Sequence, residues 1–141
     1  VYFGKEVNST SVRGFLRFLM LEKLRRLRPY GYRYKQEQQQ IENWLALIRE
    51  AARKSPALAL EVAECARLIK GYGDTHARGL ANYRAIEERV IRPALAGQIA
   101  PARAVDALAS ARTAALVDPE GEGLAKCLAD IDGPAMRIAA E

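Results

Sequence analysis

The sequence predicts an all-α fold, a compact bundle of about five to six helices, on three observations. Alanine dominates a hydrophobic class that makes up half of the 141 residues, Glu and Arg are abundant, and aromatic, Val, Ile and Thr residues are few. That composition favours helix over strand. Apolar residues recur at three-then-four spacing in successive windows, the period of one helical face. Pro and Gly fall between those windows, where helices start and stop.

Val1, Phe3 and Val7 allow a short N-terminal strand. Asn8-Ser9-Thr10-Ser11 is a capping cluster that opens the first helix. Val12, Phe15, Leu16, Leu19, Met20, Leu24 and Leu27 form its apolar stripe, Arg13, Arg17, Arg25 and Arg28 occupy much of the rest, and Pro29 ends it. Tyr30-Gly31-Tyr32-Arg33-Tyr34-Lys35 is expected to be a packed loop, although aromatic and basic residues alternate in it as they do in nucleic-acid binders. The second helix is predicted over residues 36–54, with Ile41, Trp44, Leu45 and Ile48 inward. Ser55-Pro56 pairs a cap with a first-turn proline and starts a third helix on Leu58, Val62, Cys65, Ala66 and Ile69.

A fourth helix runs from the middle of the chain towards Ile91, with Pro93 breaking or kinking it and Gly97 as a stop. Gly79 in its interior costs about 1 kcal/mol against Ala, which a close helix crossing or a nearby ligand would explain. Pro101 opens a fifth helix carrying Val105, Leu108, Ala109, Ala111, Ala115 and Leu116. The turn-rich run Asp118–Gly123 separates it from a sixth near Leu124–Asp130. The expected organisation is a main helical domain over 1–97, a helical pair over 98–133 that completes the bundle, and a loose tail over 134–141.

Charge is uneven. The formal net charge is +5, and nine Lys or Arg between Lys5 and Lys35 face only Glu6 and Glu22. A basic first third calls for a negatively charged partner or a covering subunit. Two distant cysteines, Cys65 and Cys127, make neither a disulfide framework nor a metal-ligand spacing, and a reducing, cytoplasmic setting is expected. No positive-then-apolar signal pattern and no apolar run long enough to span a bilayer is read in these residues, and the start at Val1-Tyr2-Phe3 is expected to be entry into a longer polypeptide.

The central stretch Lys70-Gly71-Tyr72-Gly73-Asp74-Thr75-His76 combines a helix stop with a helix start. Gly71 closes one helix and Gly73 turns the chain. Asp74 or Thr75 is the expected N-cap of the next, accepting from free N–H groups. Such a start is electropositive, so Lys70, Tyr72, Asp74, His76, Arg78 and Asn82 are the candidate ligand-binding residues, for a phosphate or carboxylate. The competing reading is structural, with Asp74 as the built-in anion. No dinucleotide fingerprint, phosphate loop or nucleophile elbow occurs, one histidine cannot complete a zinc site, and no catalytic residue is assigned.

This stretch, with Arg78-Gly79 and Asn82-Tyr83, resembles part of a helical C-terminal region in the indolepyruvate ferredoxin oxidoreductase-like proteins, which are bacterial 2-oxoacid:acceptor oxidoreductases. The resemblance covers Cys65 to Pro93 and extends back towards Val1. It implies a parent enzyme that oxidatively decarboxylates aryl pyruvates, with coenzyme A as acyl acceptor and ferredoxin taking the electrons. Thiamine diphosphate and iron–sulfur clusters are implied elsewhere in that parent, and none of the family's catalytic residues carries over. The expectation is therefore a non-catalytic docking domain, without a cofactor of its own, whose partners are the remaining domains or subunits of the parent. In isolation it could pair with a second copy; neither a membrane nor nucleic acid is the expected partner. The alternative is a module binding an anion such as a coenzyme A phosphate, and a third reading is a helical nucleic-acid adaptor.

Overall fold

A computed structural model describes residues 10–131, and within them the protein is all-α. The predicted strand at 1–7 and the predicted tail at 134–141 lie outside the described residues. The α-helices are α1 (Val12–Leu24), α2 (Tyr32–Lys54), α3 (Pro56–Glu64), α4 (Asp74–Ile86), α5 (Arg92–Leu95), α6 (Pro101–Val117) and α7 (Glu122–Ile131). A π-turn over Glu87–Ile91 fuses α4 and α5 into one rod, so the described residues hold six helical rods. The chain divides between Glu42 and Asn43 into two units.

In the first unit Ser11 caps α1. Its Oγ accepts from the Gly14 N–H at 3.1 Å and its carbonyl accepts from Phe15. A 3-10 turn over Arg25–Tyr30 follows, with Pro29 inside it. The loop expected over residues 30–35 is instead largely helical. α2 starts at Tyr32, and Tyr30 and Tyr32 are exposed, not packed. The Gln- and Glu-rich run that follows propagates helix back through the tyrosines, and Gln36 Nε2 donates to the Tyr32 hydroxyl one turn away.

The second unit holds the core. Leu58 and Val62 of α3, Cys65 beyond it, Ile86, Val90 and Ile91 around the π-turn, Leu108 of α6 and Leu128 of α7 are buried together. Ala104, Ala107, Ala111 and Ala115 line one face of α6, and their small side chains let α3 and α7 pack closely against it. Trp44, Leu47 and Ile48 of α2 pack against this core, and the Trp44 indole N–H donates to the Val62 carbonyl at 3.3 Å.

Local chemistry sets the boundaries. Ser55 Oγ accepts from the Leu58 N–H, and Pro56 stands in the first turn of α3, where its missing N–H costs nothing. A 3-10 turn over Cys65–Leu68 extends α3 before the chain breaks. Of the break or kink expected at Pro93, the structure shows no break, and the irregularity is a π-turn just before it. The π-turn lets the Arg92 N–H reach Glu87, five residues back, and so accommodates a ring that would otherwise meet the carbonyl four residues earlier. The rod then closes at Gly97, φ +80°, with Gln98 N–H on the Pro93 carbonyl and Gly97 N–H on that of Ala94.

Candidate functional site

The central motif is a loop between the 3-10 turn ending at Leu68 and the start of α4. It turns on two glycines with positive φ, Gly71 (+80°) and Gly73 (+57°). The N-cap of α4 is Gly73 rather than Asp74 or Thr75, and no side chain caps this end. With ψ −130°, Gly73 occupies a region closed to residues with a Cβ. It reverses the chain one residue earlier than expected, and its carbonyl accepts from Ala77. Asp74 thus lies in the first turn, where its charge favours the positive end of the helix dipole. Thr75 packs its side chain under Gly71, where a Cβ would stand 2.9 Å from the methyl.

The six candidate residues separate into two groups. Arg78 and Asn82, one turn apart on α4, both reach the turn between α6 and α7. Arg78 pairs with Glu120, and the Asn82 amide donates to the Pro119 carbonyl at 3.1 Å. That turn is tightly built. The Asp118 carboxylate accepts from the Glu120 and Gly123 N–H groups, which hold its pKa below the usual range, the Gly123 bond most of all. Gly121, φ +92°, leaves room for the Asn82 side-chain oxygen, which a Cβ there would approach to 2.9 Å. Lys70, Tyr72 and Asp74 are exposed, Tyr72 at 92%, and His76 is half-buried on α4.

Arg78 and Asn82 therefore fasten α4 to a distant turn, Arg78 through one guanidinium nitrogen and Asn82 through its amide N–H. Asn82→Ala is expected to lower the unfolding free energy by about 1 kcal/mol, the net worth of one hydrogen bond. Urea denaturation followed by Trp44 fluorescence measures it. The sequence held no sign of these partners, which lie 42 and 37 residues away.

A second polar group lies at the edge of the core. Arg112 of α6 donates to Glu61 at 2.9 Å and to Glu64 at 3.1 Å, and Arg67 pairs with Glu64 as well. Beside them Cys65 is buried. Desolvation pushes its thiol up to about 12, with Glu61 and Glu64 adding to the rise and Arg112 opposing it. The Tyr83 hydroxyl is buried without a hydrogen-bond partner among the described residues; burial first, and Glu87 second, raise its pKa. These are protonated, enclosed groups with none of the exposure a nucleophile needs. Among the described residues no group of three or more His, Cys, Asp or Glu could hold a metal ion.

In the first unit α1 presents the largest run of exposed apolar side chains. Val12, Phe15, Leu16, Phe18, Leu19, Met20, Leu21 and Leu24 are all exposed, as is Leu27 in the following turn. Phe18 and Leu21 lie outside the stripe that the spacing predicts. Their departure from the amphipathic pattern was the available signal. Arg13, Arg17 and Lys23 are exposed on the same helix. No helix among the described residues is long and apolar enough to cross a membrane.

A profile described as a family of unknown function (DUF6537) matches residues 3–89, which take in both α1 and the central motif. No curated protein and no solved structure matches the chain.

Proposed function

The chain belongs to the family DUF6537, and we propose that it is a non-catalytic docking module. One observation carries this reading: α1 keeps its apolar side chains in water while the second unit buries a core of its own. Monomeric proteins rarely display such a continuous apolar surface, and where it occurs it marks an interaction site. Withdrawing one Leu or Phe fully from water contributes about 1.5–3 kcal/mol, against an association cost of roughly 4–15 kcal/mol. A partner touching one or two of these side chains would not hold; one covering most of them would.

The resemblance of the central stretch to the helical region of indolepyruvate ferredoxin oxidoreductase-like proteins supports the partner we propose. It is the catalytic domains or subunits of a 2-oxoacid:acceptor oxidoreductase, which carry the thiamine diphosphate and iron–sulfur clusters, in a cytoplasmic enzyme. The commitment of Arg78 to Glu120 and of Asn82 to Pro119 favours this over an anion-binding role for the central motif.

Affinity isolation of the protein from cells that make it tests the reading. The eluate is assayed for coenzyme A-dependent oxidation of indolepyruvate with an electron acceptor. Activity is expected to elute with the protein, and the 141-residue chain alone is expected to have none. An eluate without 2-oxoacid oxidation overturns the assignment to such an enzyme.

A further inference from the structure

The apolar residues of α1 are not confined to one face. Val12, Phe15, Leu16 and Leu19 follow i, i+3, i+4, i+7 spacing and share a stripe. Phe18 and Leu21 point away from it, yet they are 49% and 57% exposed, much like Phe15 at 58%. A helix apolar on nearly all sides belongs in an interior. Charge is the exception: Arg13 and Arg17, one turn apart, edge the stripe, Lys23 interrupts it, and Glu22 is the one acid of α1.

Three occupants from outside the chain could cover this helix, and the placement of these residues separates them. A helix lying on a bilayer keeps a polar face towards water. In that pose, with the stripe inserted, Phe18 and Leu21 would stay in water. A second copy of α1 packed stripe to stripe would bring like charges together in either direction, Arg13, Arg17 and Lys23 against their own equivalents when parallel and Arg13 opposite Lys23 when antiparallel. A protein cleft that closes around the helix can cover both sides. To do so without stranding cations in an apolar setting, it must offer them counter-charges.

We propose that α1 docks into an apolar protein cleft that encloses it on more than one side and carries carboxylates facing Arg13, Arg17 and Lys23. The basic balance of the first third of the chain adds long-range attraction to such a surface. This rests on the docking reading for the existence of a partner, but it holds whichever enzyme that partner belongs to.

Photo-crosslinking tests it. The full protein is produced in its own cells with a benzophenone-bearing phenylalanine in place of Phe15 or, separately, Phe18, and the adducts are mapped by mass spectrometry. Both positions are expected to join the same protein, at segments with Asp or Glu nearby. The adducts are expected to be lost with Arg13→Glu/Arg17→Glu and kept with Arg13→Lys/Arg17→Lys. Unchanged Trp44 fluorescence and helical circular dichroism in these variants show that a loss is not unfolding. Adducts to lipid, to the same chain or to a second copy overturn the proposal, as do adducts from Phe15 alone, none at either position, or adducts that survive charge reversal. If the mapped partner fits in every respect but does not oxidise 2-oxoacids, the enzyme assignment fails and the cleft stands.

Discussion

Gly79→Ala is expected to destabilise the second unit by about 3 kcal/mol, even though Ala favours helix over Gly by about 1 kcal/mol. A Cβ at position 79 would stand 2.1 Å from the Leu68 carbonyl oxygen and 3.2 Å from its carbon. The obstacle is backbone, so no rotamer change relieves it. The Leu68 carbonyl also accepts from the Lys70 N–H at 3.1 Å, and Leu68 itself is buried. Moving the carbonyl would disturb that bond, and moving α4 would open the core at Tyr83 and Ile86, the buried residues that follow Gly79 on the same helix. Overpacking of this kind costs about 1–3 kcal/mol and sometimes more, and here it outweighs the gain in propensity. Thermal unfolding checks it: a midpoint lower by on the order of 10 °C is expected for a unit of this size. A variant as stable as the parent would mean that α4 does not cross the 3-10 turn so closely.

The same crossing shows where the sequence was legible and where it was not. Gly79 is conspicuous inside a helix, and a close crossing is one of two explanations its cost suggests. Only the structure shows that a carbonyl fills the space, with no ligand needed to account for it. Boundaries written in local chemistry could be read directly: Ser55-Pro56, Pro101 and Gly97 act through neighbours a few residues away. The cap of α4 escaped because Asp74 and Gly73 are both good caps, and the choice depends on the backbone angles that Gly73 takes. The π-turn before Pro93 escaped because a proline signals a broken hydrogen bond without saying how the helix absorbs it. The partners of Arg78, Asn82 and Arg112 escaped for a different reason. They lie tens of residues away, and helical periodicity carries no information about contacts at that range. At the candidate site, therefore, the residues could be picked out, but not the fact that Arg78 and Asn82 are fastened to another turn. On α1 the basic side and the main stripe were visible, whereas the exposure of both sides was not.

Arg112→Ala is expected to cost about 2–3 kcal/mol, and the reason lies in what it leaves behind. Arg112 and Glu61 are each only 15% exposed, and one guanidinium serves both Glu61 and Glu64. Without it two carboxylates one helical turn apart lose their shared cation. Glu61 is the worse placed, because Glu64 keeps Arg67 and sits nearer water. Breaking a fully buried pair costs about 3–5 kcal/mol; the residual exposure and the surviving Arg67 contact bring the expectation below that range. The network itself contributes much less, since desolvating three charges offsets most of their attraction, and the buried Nε of Arg112 has no hydrogen-bond partner among the described residues. The double variant Arg112→Met/Glu61→Leu, which removes cation and nearest anion together and fills their volume with apolar atoms, is therefore expected to be within about 1 kcal/mol of the parent. Urea unfolding of Arg112→Met, Glu61→Leu and the double completes a cycle. A large loss in Arg112→Met, a smaller one in Glu61→Leu, where Arg112 keeps Glu64, and near recovery in the double identify charge stranding as the cause. Equal and additive losses would instead assign Arg112 a packing role through its aliphatic stem, with Glu61 an independent contributor to α3.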